Sequence, residues 1–161
     1  MLIKNISNHP SELVQYKHMK VLFVCRHNTG RSQIAKAFYN GLTHSSDADS
    51  AGTHVIEIGQ TLEERRATID AKNFFIFDVM NEAGHDISQY VRTPLIEDMI
   101  DRYDMVVSMA SKEDTPEWLL QSDKYVYWDV SDPRGQDYAT TVKVRDEIKH
   151  KVEELIASKN S

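Results

Sequence analysis

Four apolar residues, Val21-Leu22-Phe23-Val24, lead directly into the chain's only cysteine, Cys25. Five residues intervene before Arg31, Ser32 follows it, and from there an amphipathic pattern begins. A short continuous apolar run is the mark of a strand buried on both faces of a parallel sheet. Ile34, Phe38 and Leu42 recur every four residues, which predicts a helix over Ser32–Asn40 with Gly41 as its stop. Strand, tight loop and helix in such close succession leave little choice of fold. The helix must cross back over the sheet, and its first N–H groups have no carbonyl partner inside the helix. Those donors, together with the positive end of the helix dipole, make the loop an anion site. A cysteine at its floor, beside an arginine, is favoured as thiolate.

The rest of the chain repeats the alternation. Ser45–Asp49 reads as a loop and Ser50–Thr53 as a strand of poor propensity. Thr61 with Glu64 forms a candidate capping box that opens a long helical stretch, broken near Thr68–Asp70. Ala71, Phe75, Val79 and Ala83 lie four apart, and Gly84 is placed to end that helix. Thr93-Pro94 predicts a further helix running to about Ile100. Asp104–Met109 and Lys124–Trp128 read as strands, Thr115–Leu120 as a short helix, and Tyr138–Ala157 as a closing helix. Strands alternating with helices argue for an α/β fold on a parallel sheet, with ligands outside the carboxyl ends of the strands. Cys25 leaves the first strand at that edge, and Asp132 follows the last strand there.

Composition bounds the rest. The 161 residues suit one domain with a full core. We read residues 1–19 as an N-terminal extension, with a short helix starting near Pro10, and residues 20–158 as the domain. A net charge of −6 argues against nucleic acid as partner, although Arg26, His27 and Arg31 form a local basic patch. A single cysteine excludes an internal disulfide and a cysteine-based zinc site, and it fits a reducing cytoplasm. No segment has the apolar length of a membrane span, and the first nineteen residues have no signal-peptide core. We expect a cytoplasmic protein with no cofactor, no metal and no membrane partner.

The chemistry follows from the loop. Arg31 offers a tetrahedral dianion a two-pronged fork that lysine cannot reproduce. Backbone N–H groups of Arg26, His27, Asn28, Thr29, Gly30 and Ser32 supply further donors. Asn28 tolerates left-handed backbone and Gly30 carries no Cβ, so both help the loop turn inward. The Ser32 hydroxyl is a donor to the sulfur or an N-cap, and the two roles are compatible. His27 shapes the loop or sits at its rim. A thiolate attacking phosphorus in line gives a phosphocysteine, and the departing oxygen then needs a proton. Asp132, stiffened by Pro133, is the candidate acid, with Asp129 the nearest competitor. Glu97, Asp98, Asp101 and Asp104 read as capping or solvated charges.

These residues resemble the low-molecular-weight protein tyrosine phosphatase family, which includes arsenate reductases. The family loop Cys-x-x-Asn-x-x-Arg-Ser is matched at all four fixed positions by CRHNTGRS. Ser50–Thr53, the segment Asn81–Ser88, the strand DMVVSM and Asp132-Pro133 look like the family's later landmarks, so the resemblance spans about Lys20 to Ile156. It implies a four-stranded parallel sheet of flavodoxin-like order 2-1-3-4 flanked by helices, with Cys25, Arg31 and Asp132 as catalytic residues. The departures are informative. Gly30 stands where the phosphatases carry a second loop cysteine, Gln33 replaces a common proline, and Arg134-Gly135 replace aromatic residues after the acid. Arg-Ser-Gln and WDVSDPRGQ look closer to the arsenate reductases. The thioredoxin-coupled reductases, however, need further cysteines, which this chain lacks. The leading expectation is a cysteine-dependent phosphatase that hydrolyses phosphotyrosine or aryl phosphate monoesters through a phosphocysteine, its partner a phosphoprotein or a small phosphomonoester. The alternative is an arsenate reductase drawing on a low-molecular-weight thiol, and a third reading is a non-catalytic oxyanion-binding module.

Overall fold

A computed structural model describes residues 19–160. The extension and the short helix expected near Pro10 lie outside the described residues. Four strands, β1 (Val21–Cys25), β2 (Ala48–Gly52), β3 (Met105–Ser108) and β4 (Tyr125–Tyr127), form one parallel sheet in the order β2-β1-β3-β4. Five α-helices accompany them: α1 (Arg31–Thr43), α2 (Leu62–Thr68), α3 (Ile76–Glu82), α4 (Glu117–Leu120) and α5 (Tyr138–Asn160). Among the described residues no helix is long and apolar enough to cross a membrane.

Every residue of β1 is buried, as its central position between β2 and β3 requires. Its side chains alternate between two cores. Val21, Phe23 and Cys25 face a cluster built with Ile34 and Phe38 of α1, Val79 and Met80 of α3, and Ile148 and Val152 of α5. Leu22 and Val24 face a smaller cluster with Met99, Tyr103, Val106 and Leu119. Each such side chain contributes about 1.5–3 kcal/mol on burial, so a shift of register by one residue is heavily penalised. Pairing with this strand also makes β2 a strand despite Ser50 and Gly52. Ala48 through Gly52 pair residue by residue with Val21 through Cys25.

Three expectations need correction. Helix α1 runs through Gly41 to Thr43, and its chain reverses at His44, whose φ of 53° is left-handed. Gly41 is there for space, since a Cβ would come within 2.7 Å of the His85 ring. The loop expected over Ser45–Asp49 is shorter than its polarity suggests. Asn40 bonds both the N–H and the carbonyl of Ala48, starting β2 two residues early. Finally, Thr93-Pro94 does not open a helix. Gly52 N–H donates to the Thr93 carbonyl and Leu95 N–H donates back to Gly52, so this segment lies extended beside β2. A 3-10 turn over Glu97–Arg102 follows it. The Thr61 cap on α2, the break after Thr68 and the positive φ of Gly84 agree with the sequence reading.

Gly52 is the tightest point between sheet and loop. A Cβ there would meet Val55 Cγ2 at 2.6 Å and both Arg26 O and Asn28 Cβ at 2.9 Å. Backbone cannot swing aside as a side chain does. Gly52→Ala is therefore expected to cost about 1–3 kcal/mol, read as a lower urea midpoint with an unchanged slope. A midpoint equal to wild type would show that the loop can yield at this contact.

Candidate active site

The loop from Cys25 to Arg31 is fixed from both sides. Thr53 N–H donates to the Cys25 carbonyl at 3.0 Å and His54 N–H to the Arg26 carbonyl at 2.8 Å. Fully buried Asn28 turns the chain inward with a φ of 53°. Its side-chain orientation follows from its partners. Thr93 N–H, which can only donate, lies 2.7 Å from Asn28 Oδ1. Asn28 Nδ2 therefore faces Ser32 Oγ, at 2.7 Å. Ser32 spends a lone pair on that bond and keeps its hydrogen for the Cys25 Sγ, 3.0 Å away. Asn28 thus orients Ser32 as a donor to the sulfur. Gly30, not Ser32, is the N-cap residue of α1, and no side chain caps that end. The first-turn donors stay open to an anion.

Two further side chains hold the loop and went unrecognised in the sequence. Gln33, fully buried, donates to the Asn28 carbonyl at 3.1 Å and accepts from Ser50 Oγ at 2.9 Å. Arg92 is 1% exposed, and its Nε donates to the His27 carbonyl at 3.0 Å. Glu57 and Gln60 each accept from Arg92 Nη1 at 2.6 Å. That hydrogen bond, with the Arg92 charge, holds the Glu57 carboxyl below its usual range. A buried arginine is tolerated when its donors are matched in this way.

Arg31 reaches across from α1. Its Nη1 donates to the carbonyls of Met109 at 2.7 Å and Val130 at 2.9 Å, just beyond β3 and β4. Both Nη1 hydrogens are thereby used, and the Nε and Nη2 edge remains as the fork. Asp132 Oδ2 lies 3.8 Å from Arg31 Nη2. Its other oxygen accepts from Arg134 N–H at 3.0 Å, which shapes the turn after Pro133. Asp129 stands apart and takes a long bond from Tyr127.

Cys25, Arg31 and Asp132 share one cavity of about 240 Å³ with His27, Thr29 and Gly30. Its far wall holds Ile69, Phe74, Phe75 and Ile76, and its rim holds Arg65, Asp70 and Arg134. None was singled out as a site residue, because Arg65, Ile69, Asp70 and residues 74–76 come from segments with no motif of their own, and Arg134 drew notice only for replacing an aromatic residue after the acid. Asn28 and Ser32 lie behind the loop. The Arg26 side chain turns away to an ion pair with Asp114, which His54 also approaches. Arg26 thus offers the loop its backbone alone. Burial lowers the His27 pKa, and the charges of Arg134, Arg26 and Arg65 push it down further against the opposing pull of Asp132. His27 is then neutral at pH 7. Among the described residues no cluster of three His, Cys, Asp or Glu side chains could hold a metal ion.

Known proteins share this architecture. The glutaredoxin arsenate reductase of Synechocystis sp. is 33% identical over 141 residues, covering 86% of this chain and 96% of that protein. The arsenate reductase of Staphylococcus aureus is 25% identical over 136 residues, covering 84% and 94%. The low molecular weight protein tyrosine phosphatase of T. tengcongensis superposes with a TM-score of 0.71 at 26% identity, over 88% of this chain and 99% of that one. A solved arsenate reductase in the phosphate-binding state gives a TM-score of 0.68 at 28% identity, over 88% and 98%. The family model for low molecular weight phosphotyrosine protein phosphatases matches residues 20–160. With that match over nearly all of the described residues, and with the four-stranded sheet order on the page, this chain belongs to the low molecular weight phosphotyrosine protein phosphatase family.

Proposed function

We propose that the protein is a cysteine-dependent phosphatase that hydrolyses aryl phosphate monoesters through a phosphocysteine. The observation that carries this reading is the approach of Asp132 to the free edge of Arg31, across the cavity from a sulfur that accepts from Ser32. The Cys25 thiolate attacks phosphorus as the ester P–O bond breaks opposite it. Protonated Asp132 gives its proton to the leaving oxygen. Its carboxylate then takes a proton from water, the hydroxide attacks phosphorus, the S–P bond breaks, and inorganic phosphate leaves. Arg31 and the loop N–H groups hold the equatorial oxygens as charge builds on them. No second sulfur is needed, and the apolar wall of Ile69, Phe74 and Phe75 suits an aromatic leaving group.

A second reading has its own support. The arsenate reductases of Synechocystis and Staphylococcus aureus are among the relatives. In that scheme the thiolate displaces hydroxide from arsenate. An external thiol then attacks Cys25 sulfur, arsenite departs with the electron pair, and a second external thiol reduces the mixed disulfide. Both electrons must come from outside the chain, because Cys25 is its only cysteine. Turnover would then scale with added thiol, whereas ester hydrolysis would not.

Assays of aryl phosphate hydrolysis and of thiol-supported arsenate reduction on one sample separate the two. Hydrolysis without thiol, lost in Cys25→Ser while phosphate binding survives, is the expected result. Arsenate consumption only with thiol, and no hydrolysis of any ester, would replace the first reading by the second.

Arg31→Lys retains the charge but loses the fork. A fall of about 10²–10³ in kcat is expected, and a loss under about fivefold would remove Arg31 from the role of clamp.

Asp132→Asn is expected to slow esters with poor leaving groups most. A nitrophenolate leaves as a stable anion and needs little protonation, so its release should be nearly spared. The check is the slope of log kcat/KM against leaving-group pKa, which steepens if Asp132 is the acid. An unchanged slope would hand that role to Asp129.

A further inference from the structure

The rim of the cavity carries cationic groups that the phosphoryl chemistry does not use. Arg65, from α2, lines the cavity, yet its guanidinium makes no ion pair or hydrogen bond among the described residues. Its Nε is shut off from solvent and has no hydrogen-bond partner. A buried donor left unmatched carries a desolvation cost and calls for an explanation. Arg134, from the turn after Asp132, lines the same cavity. Among the described residues its side chain likewise has no acidic partner at ion-pair distance, and its backbone N–H holds Asp132. Burial lowers the Arg65 pKa, and the charges of Arg92 and Arg134 lower it further against the opposing pull of Glu57.

The charges facing this space do not cancel. Arg31 belongs to the oxyanion, and His27 is neutral at pH 7. Asp132 approaches Arg31 Nη2 at 3.8 Å. Asp70 lines the same space, and one of its oxygens already accepts from Lys72 N–H; Glu57, which also attracts Arg65, is already held by Arg92. A phosphate seated in the loop leaves both rim arginines unmatched. The cavity of about 240 Å³ is lined by Phe74 and Phe75 as well as by the loop and both arginines.

We propose that the rim formed by Arg65 and Arg134 is a second anion subsite, and that the substrate is a small phosphomonoester with a carboxylate or second phosphate on its organic group. This rests on the phosphatase reading above. The phosphoryl group sits in the loop, the organic group lies along Phe74 and Phe75, and the far anion reaches the two guanidinium groups. Guanidinium forks suit both carboxylate and phosphate.

The test compares 4-(2-carboxyethyl)phenyl phosphate with its carboxamide, which has the same leaving group. A third arm replaces the carboxylate by a phosphate ester and tells which anion is preferred. The acid is expected to exceed the amide by about tenfold or more in kcat/KM, through KM, the scale of one charge-assisted hydrogen bond. In Arg65→Gln/Arg134→Gln the ratio should fall to within about twofold, while Arg65→Lys should retain part of it. Equal rates for acid and amide in wild type, or a ratio that survives in the double variant, would overturn the subsite. The single variants carry the same comparison should the double variant not fold. If neither ester is hydrolysed, the phosphatase reading fails by itself. The matching difluoromethylphosphonates, measured by calorimetry, then decide the subsite. Tighter binding of the acid that is lost in the variants upholds it, and equal binding of acid and amide overturns it.

Discussion

The side-chain amide of Asn28 is the point on which the site depends. It is fully buried, so each of its polar atoms needs a partner. Thr93 N–H takes Oδ1, Ser32 Oγ takes Nδ2, and Gln33 takes the backbone carbonyl. One residue in left-handed conformation therefore sets the loop's curvature and the direction of the Ser32 hydrogen. Exchange of Nδ2 and Oδ1 would set carbonyl against hydroxyl oxygen and oblige Ser32 to donate there, taking its hydrogen from the sulfur. The amide orientation is set by a backbone donor, which has no alternative role. That is why the segment after Tyr90 lies extended along β2 and not in a helix. A helix beginning at Thr93 would change the chain path that brings this N–H to Asn28 Oδ1.

A second constraint links the two halves of the chemistry. Arg31 anchors one nitrogen on carbonyls beyond β3 and β4. The anchor takes the arginine's position from the sheet rather than from its own helix. It also ties the loop holding Asp132 to the loop holding Cys25, because Val130 lies two residues before Asp132. A lysine offers one ammonium and cannot hold two carbonyls while presenting a planar fork. Arg145 works similarly on the outer wall. It leaves α5 to donate to the Val79 carbonyl and the Glu82 carboxylate, holding α3, and with it Ile76, against the cavity.

The central strand and the loop were legible in the sequence because their signals are local, whereas the sheet order came from the family resemblance. Apolar runs marked β1 and β3, and the spacing of Cys25, Arg31 and Ser32 marked the loop. Signals failed where a contact distant in sequence decided the outcome. Gly41 stays inside α1 because His85, from another segment, leaves no space for a Cβ. Thr93-Pro94 has the composition of a helix start, but its donor and carbonyl are claimed by Asn28 and Gly52. Arg92 carried no motif, and only the fold brings it beneath the His27 carbonyl. Arg65 carried no motif either, and Arg134 stood out only for replacing an aromatic residue after the acid. Each lies on a segment that reaches the cavity only after the crossovers are made.

Gly30 bears on both chemistries. A Cβ there would meet Ile76 Cδ1 at 3.4 Å and Cγ1 at 3.9 Å, ordinary contact distances, and the residue's φ of −119° lies outside the left-handed region. Neither space nor left-handed geometry compels a glycine. What the glycine decides is the fate of the sulfur. With no thiol beside it and no other cysteine in the chain, an oxidised Cys25 cannot be rescued by an internal disulfide. Recovery must come from a thiol that enters the cavity. An external thiol is also what arsenate reduction on this loop would require. The same cavity mouth, with its apolar wall and two rim guanidinium groups, therefore governs access for an ester and for a thiol alike. An anionic thiol would meet the same charges as an anionic ester. Selection at the rim thus comes before the chemistry at the sulfur and applies to either reaction.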